Sequence, residues 1–180
     1  SISKAAKAME MSYSRAWQLV EAMNTAFRKP LVEASTGGRK GGALSGWHPA
    51  DLGAQVLDAL VDRTGADPAL IDDVVMGCVL QIGEQALNVA RNAVLSSKLP
   101  ESVPGTTIDR QCGSSQQATG LAASLVGSGS VDLAMACGVE VMSRVPIGSN
   151  SKGDYGRPIP KSYFPQYEFT TQFEAAERIA

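Results

Sequence analysis

From Ala50 onward the spacing of apolar residues switches repeatedly between helical and strand-like, and this alternation predicts a parallel α/β arrangement. Between Ala50 and Arg63, Leu52, Val56 and Leu60 recur every four residues with Leu57 and Val61 beside them, which predicts a helix with one apolar face. Ile71 to Leu80 carries two acids near its start and is otherwise an apolar run, as a strand covered on both faces should be. Ala86 to Ser97 reads as a helix ended by Lys98-Leu99-Pro100. A short strand follows over Thr106 to Gln111, then a helix over Gly113 to Val126 with Leu121, Ala122 and Leu125 inward, then a buried strand over Val131 to Met142. From Pro146 through Tyr167 the residues turn to Gly, Ser, Asn, Lys, Pro and Tyr and predict a long loop, after which Thr170 to Ala180 predicts a final helix.

The first 43 residues pattern differently. Two helices are expected, Ser3 to Met9 and Tyr13 to Phe27, joined by Glu10-Met11-Ser12 with Ser12 as the N-cap, and this spacing is that of a helix-turn-helix. Charge divides at the same place. Residues 1 to 43 hold seven Lys and Arg against three Glu, a formal +4, while the remainder holds nine against fifteen, a formal −6, within a net charge of −2. A basic head on an acidic body points to a nucleic-acid-facing module or to two pieces of different origin.

Composition sets the outer bounds. At 180 residues, 44% apolar and 19% charged, the chain reads as a soluble globular protein of one or two domains. No charged segment leads into an apolar run and a small-residue cleavage site, so no secretory signal is read, and no apolar run approaches the roughly 20 residues that span a bilayer. Three cysteines, Cys78, Cys112 and Cys137, have no metal-like spacing and suit reduced thiols in a cytoplasm, with no metal site expected.

Cys112 stands where the Thr106 to Gln111 strand runs into the next helix, and it is the candidate catalytic nucleophile. The unpaired N–H groups and positive dipole end of a helix stabilise an anion and can bring a thiol below its free pKa of about 8.5. Cys78 and Cys137 fall inside apolar strand runs and are read as core residues.

Asp109-Arg110-Gln111-Cys112-Gly113-Ser114-Ser115-Gln116-Gln117-Ala118, followed by Cys137-Gly138-Val139-Glu140-Val141-Met142-Ser143-Arg144-Val145-Pro146, resembles the thiolase family of acyl-CoA acyltransferases. The resemblance runs from about Gly42 to the end and takes in Gly46-Trp47-His48-Pro49-Ala50-Asp51-Leu52 and Gln85-Ala86-Leu87-Asn88-Val89-Ala90-Arg91. The Ser-Ser-Gln-Gln variant is most similar to bacterial acetyl-CoA acetyltransferases of lipid breakdown.

This resemblance implies an α/β fold, half of a thiolase-like layered architecture in βαβαβ order, with residues 44–180 forming a truncated N-terminal domain and the start of the loop domain. The small-residue helix after Cys112 would be the buried central helix between two layers, and the loop from Pro146 would begin the excursion that shapes the CoA pocket. The implied reaction uses Cys112 as acyl acceptor from a 3-ketoacyl-CoA or acetyl-CoA substrate, with coenzyme A thioester as substrate and no tightly bound cofactor. A homodimer or other oligomer is implied, assembled through the layer near the nucleophile. The family's catalytic histidine and second cysteine belong to Gly-His-Pro and Cys-x-Gly motifs, neither of which occurs in this sequence. The single histidine, His48, has a Trp-His-Pro context and is read as structural, so turnover by this chain is expected to be weak or absent.

Residues 1–43 resemble a different family. With Leu31-Val32-Glu33-Ala34-Ser35-Thr36-Gly37-Gly38-Arg39-Lys40-Gly41-Gly42-Ala43 as the wing, they are similar to part of the winged helix-turn-helix domain of molybdate-responsive regulators of the ModE type. That resemblance implies DNA as a partner, with Ser12, Tyr13, Ser14, Arg15 and Gln18 facing the major groove and Arg39 and Lys40 meeting phosphates. On this alternative the chain is a fragment of a transcriptional regulator, or a chimera without function joined near Gly41 to Leu44.

Overall fold

A computed structural model describes residues 44–179, in two compact units that divide after Asn150. The expected helix-turn-helix, with Ser12, Tyr13, Ser14, Arg15, Gln18, Arg39 and Lys40, lies outside the described residues.

The first unit opens with helix α1, Pro49–Thr64. Its start is encoded locally: His48 is the N-cap, its Nδ1 accepting the Ala50 N–H at 3.2 Å, Pro49 follows and Asp51 faces the positive end of the dipole. Gly65 ends it in the left-handed region at φ 66°, its N–H returning to the Val61 carbonyl. The inward face is Ala50, Gly53, Ala54, Leu57 and Val61. This corrects the stripe read from spacing, because Leu52 and Val56 lie at the margin and Leu60 is 36% exposed. The cause is close packing. A Cβ at Gly53 would stand 3.0 Å from the Ala93 Cβ and 3.1 Å from the Met76 methyl, so the small-residue face is the one that fits.

Three strands form one parallel sheet in the order β2-β1-β3: β1 at Asp73–Gly77, β2 at Gly105–Ile108 and β3 at Ala134–Gly138. In register, Val75 pairs with Thr106 on one side and Ala136 on the other, and Gly77 with Ile108 and Gly138. Helix α2, Val89–Leu95, joins β1 to β2, and helix α3, Ser114–Gly127, joins β2 to β3. The first connection steps outward from β1 and the second returns past it, so crossovers of a single hand put the two helices on opposite faces. Burial agrees: Val74, Met76 and Met135 pack with α1 and α2, while Val75 packs with Ala118 and Ala122 of α3. The βαβαβ order and the parallel sheet are as expected.

Two expectations are corrected. Helix α2 begins at Val89 rather than Ala86, because Leu87 and Asn88 take left-handed φ of 55° and 58° and the Asn88 side chain caps the helix at the Arg91 N–H. Leu121 is exposed, and α3 turns Ser114, Ala118 and Ala122 inward instead. Among the described residues the sheet covers one face of α3.

The second unit, described from Ser151 to Ile179, is a loop with a 3-10 turn at Lys161–Tyr163 and helix α4 at Gln172–Ile179. The Tyr163 ring packs edge-on against Phe164 and tilted against Tyr167, with centroids 5.8 and 5.1 Å apart. The Thr171 hydroxyl accepts the Glu174 N–H, which sets the start of α4 two residues later than Thr170. No helix among the described residues is long and apolar enough to cross a membrane.

Candidate active site

Cys112 is exposed and stands between the end of β2 and the first turn of α3. The chain reverses there in a tight elbow. Asp109 Oδ1 accepts the Gln111 N–H at 2.6 Å, the Arg110 carbonyl accepts the Gly113 N–H at 2.9 Å, and Gln111 takes φ 44°. A non-glycine residue in that region is uncommon and needs its surroundings to hold it. Gly113, the N-cap of α3, supplies no side-chain acceptor to the helix. The start of a 14-residue helix thus follows Cys112 without a capping side chain from that position.

Two glycines form the floor under this turn. Gly77 and Gly138 are register partners at the ends of β1 and β3. A Cβ on Gly77 would collide with the Ser114–Ser115 backbone, and one on Gly138 with the Ser115 hydroxyl. The first turn of α3 can therefore lie directly on the sheet, which places Cys112 at the carboxyl ends of the strands, where open α/β sheets bind ligands.

The other two thiols have different surroundings. Cys78 is 1% exposed, and burial, reinforced by the Glu140 charge, pushes it up to about 12. Burial alone pushes Cys137 up to about 12. Both stay protonated at neutral pH, which leaves Cys112 as the accessible thiol.

Behind the elbow, a polar bracket joins the segments that follow β1 and β3. The Glu140 carboxylate accepts N–H groups from Val79 at 2.7 Å and Leu80 at 3.2 Å. Gln85, fully buried, donates to the Leu80 carbonyl at 2.8 Å and to Glu140 at 2.9 Å, and accepts the Val141 N–H at 2.8 Å. Outside this bracket Arg144 pairs with Glu84 through two guanidinium nitrogens and donates to the Ser45 carbonyl. The Arg144 hydrogen bond holds the Glu84 carboxyl below its usual range.

His48 serves α1 as its cap, as its structural reading implied. Among the described residues no group of three or more His, Cys, Asp and Glu could hold a metal ion. The glycine floor, Ser114 and the Gln85–Glu140 bracket were not singled out from the sequence. A glycine inside each of the two long apolar runs, Met76-Gly77-Cys78 and Cys137-Gly138-Val139, is the signal the sequence offers, since strand glycines mark close backbone approach.

Comparison with known proteins places this geometry. The family model for the thiolase N-terminal domain matches residues 32–170, which takes in Arg39 and Lys40 and leaves Ser12, Tyr13, Ser14, Arg15 and Gln18 outside. The chain is 54% identical over 112 residues to the steroid 3-ketoacyl-CoA thiolase FadA6 of Mycobacterium tuberculosis, covering 62% of this chain and 28% of that protein. It is 52% identical over 111 residues to a beta-ketoadipyl-CoA thiolase of Escherichia coli, covering 61% and 28%. The crystal structure of the Bacillus anthracis acetyl-CoA acetyltransferase superposes with a TM-score of 0.54 at 39% identity, over 57% of this chain and 26% of that one. The chain therefore spans less than a third of the length of these relatives. Because the family match takes in the whole sheet, the elbow that carries Cys112 and the loop beyond Val145, the chain belongs to the thiolase family through its N-terminal domain.

Proposed function

We propose that Cys112 is the acyl acceptor of a thiolase-type acyltransferase acting on coenzyme A thioesters. The observation that carries this reading is the elbow itself: an exposed cysteine at a helix start laid on two strand-end glycines, while the two other thiols are held protonated. The Cys112 thiolate attacks the 3-keto carbon of a 3-ketoacyl-CoA. The bond between C2 and C3 then breaks, the acyl group stays on sulfur, and the departing carbanion takes up a proton to leave as acetyl-CoA. Attack by the thiolate of a second CoA on the thioester carbonyl frees Cys112 and releases the shortened acyl-CoA.

These residues support acylation better than turnover. Releasing the carbanion and activating the incoming CoA call for an acid and a base, and the one histidine in the sequence caps α1. Loss of a positioned acid or base costs about a hundredfold to ten-thousandfold. We expect one slow release of acetyl-CoA per chain on mixing with acetoacetyl-CoA, absent in Cys112→Ser. Release at equal rates from parent and variant would refute the assignment.

A second reading, DNA binding by residues 1–43, draws on their formal charge of +4 and the arrangement of Ser12, Tyr13, Ser14, Arg15 and Gln18. A duplex mobility shift that weakens with salt and is lost in Arg15→Ala would support it. No shift even at low salt would end it.

A further inference from the structure

We propose that Ser114 is a positioning residue whose hydroxyl locks the elbow presenting Cys112; the proposal rests on, and deepens, the acyl-acceptor reading. Ser114 is 6% exposed, and its Oγ accepts the Arg110 N–H at 3.0 Å while donating to the Gln111 carbonyl at 2.8 Å. Those two groups belong to the peptide before Arg110 and the peptide that joins Gln111 to Cys112. One buried hydroxyl thus spans the reversal and fixes the plane of the peptide from which Cys112 departs. Of the two residues spanned by these contacts, Arg110 and Gln111, it is Gln111 that takes φ 44°, a conformation its own side chain does not favour.

The direction of the hydroxyl matters as much as its contacts. A serine at the N-cap turns its oxygen toward the helix N–H groups, but Ser114 stands one residue past the Gly113 N-cap. Here Ser114 is the first residue of α3 and its oxygen faces back into the elbow, so it does not occupy the N–H groups ahead of it. The floor holds the same residue from below, since a Cβ on Gly77 would strike the Ser114 backbone. Ser114 is held by the sheet and in turn holds the backbone on which the nucleophile sits. It does so without touching the reacting atoms, and misplacement of about 1 Å at such a group is enough to cost up to a hundredfold in rate.

The test compares the full chain, Ser114→Ala, and Ser114→Ala combined with Gln111→Gly. Two rates are read at Cys112: acyl-adduct formation from acetoacetyl-CoA, which needs orientation, and alkylation by iodoacetamide, which needs access. Ser114→Ala is expected to slow acylation about tenfold or more while alkylation changes little and Cys78 and Cys137 stay unlabelled. Gln111→Gly, which accepts a positive φ without strain, is expected to restore several-fold of the lost rate. Acylation at the parent rate in Ser114→Ala, or no recovery on adding Gln111→Gly, would overturn the proposal. Labelling of Cys78 and Cys137 in Ser114→Ala would also overturn it, by making the hydroxyl a requirement of the fold. If the parent itself forms no adduct, the acyl-acceptor reading fails, and amide exchange decides the lock separately. Faster exchange at the Arg110 N–H in Ser114→Ala upholds it, and unchanged exchange refutes it.

Discussion

Cys78 and Cys137 lie in the apolar surroundings of the sheet with their thiols pushed up to about 12, whereas Cys112 sits one elbow beyond its strand. Iodoacetamide at neutral pH should therefore modify Cys112 alone, with the other two labelled only after denaturation. The raised pair also sets a pH dependence. An unfolded thiol ionises near 8.5 while the folded ones resist to about 12, so their contribution to stability is complete below about 8.5 and is lost as pH climbs toward 12. Thermal melts across that alkaline window should fall steadily; a flat profile would contradict the burial assigned to these thiols. Gln85 makes the complementary case for a polar side chain. Its amide answers Leu80, Glu140 and Val141 inside the protein; Gln85→Ala strips the Val141 N–H of its acceptor, while the Leu80 carbonyl keeps the Ile82 N–H and Glu140 keeps the Val79 and Leu80 N–H groups. The expected cost is about 3 kcal/mol, read from urea denaturation.

At the scale of elements, the seating of α3 on Gly77 and Gly138 links the sheet to the turn that carries Cys112. Gly77→Ala places a methyl against helix backbone, which cannot yield as a flexible side chain could, and should destabilise by about 3 kcal/mol and slow acylation at Cys112. Gly138→Ala meets the Ser115 side chain, so a milder effect is expected there. Asp72 ties the entries of β1 and β3 together by accepting the Asp132 and Leu133 N–H groups at 2.8 and 3.0 Å. Those bonds hold its carboxyl below the ordinary 3.8. The stabilisation is present above that ordinary value and is lost as pH falls through the lower folded one. Melting temperatures of the parent and Asp72→Asn should therefore converge as the solution is acidified, and a constant gap would contradict the assignment.

The same elements show what was legible in the sequence. Helix α1 was readable nearly to its ends because its cap, proline and terminal glycine are all local signals. Its inward face was not, because Gly53 and Ala54 face the core through the approach of Ala93 and Met76 rather than through their own hydrophobicity. The strands were read too long for a related reason. Val79, Leu80 and Val141 continue the apolar runs beyond β1 and β3, yet their N–H groups go to Glu140 and Gln85 instead of to a neighbouring strand. The motif around Cys112 is local and readable, while the glycine floor under Ser114 depends on contacts between segments far apart in sequence.

For the whole molecule, α3 carries Leu121 and Val126 exposed among the described residues, in a chain spanning 28% of relatives such as the M. tuberculosis thiolase. Apolar surface of this kind favours association, so we expect sedimentation velocity to show dimers or larger species at micromolar concentration. A stable monomer there would count against it. The acyl-acceptor assignment itself is tested most directly by intact mass of the chain after incubation with acetoacetyl-CoA, beside Cys112→Ala. One acetyl group per chain is expected on the parent and none on the variant; a folded, soluble parent that stays unmodified, or a variant acylated equally, would overturn the assignment.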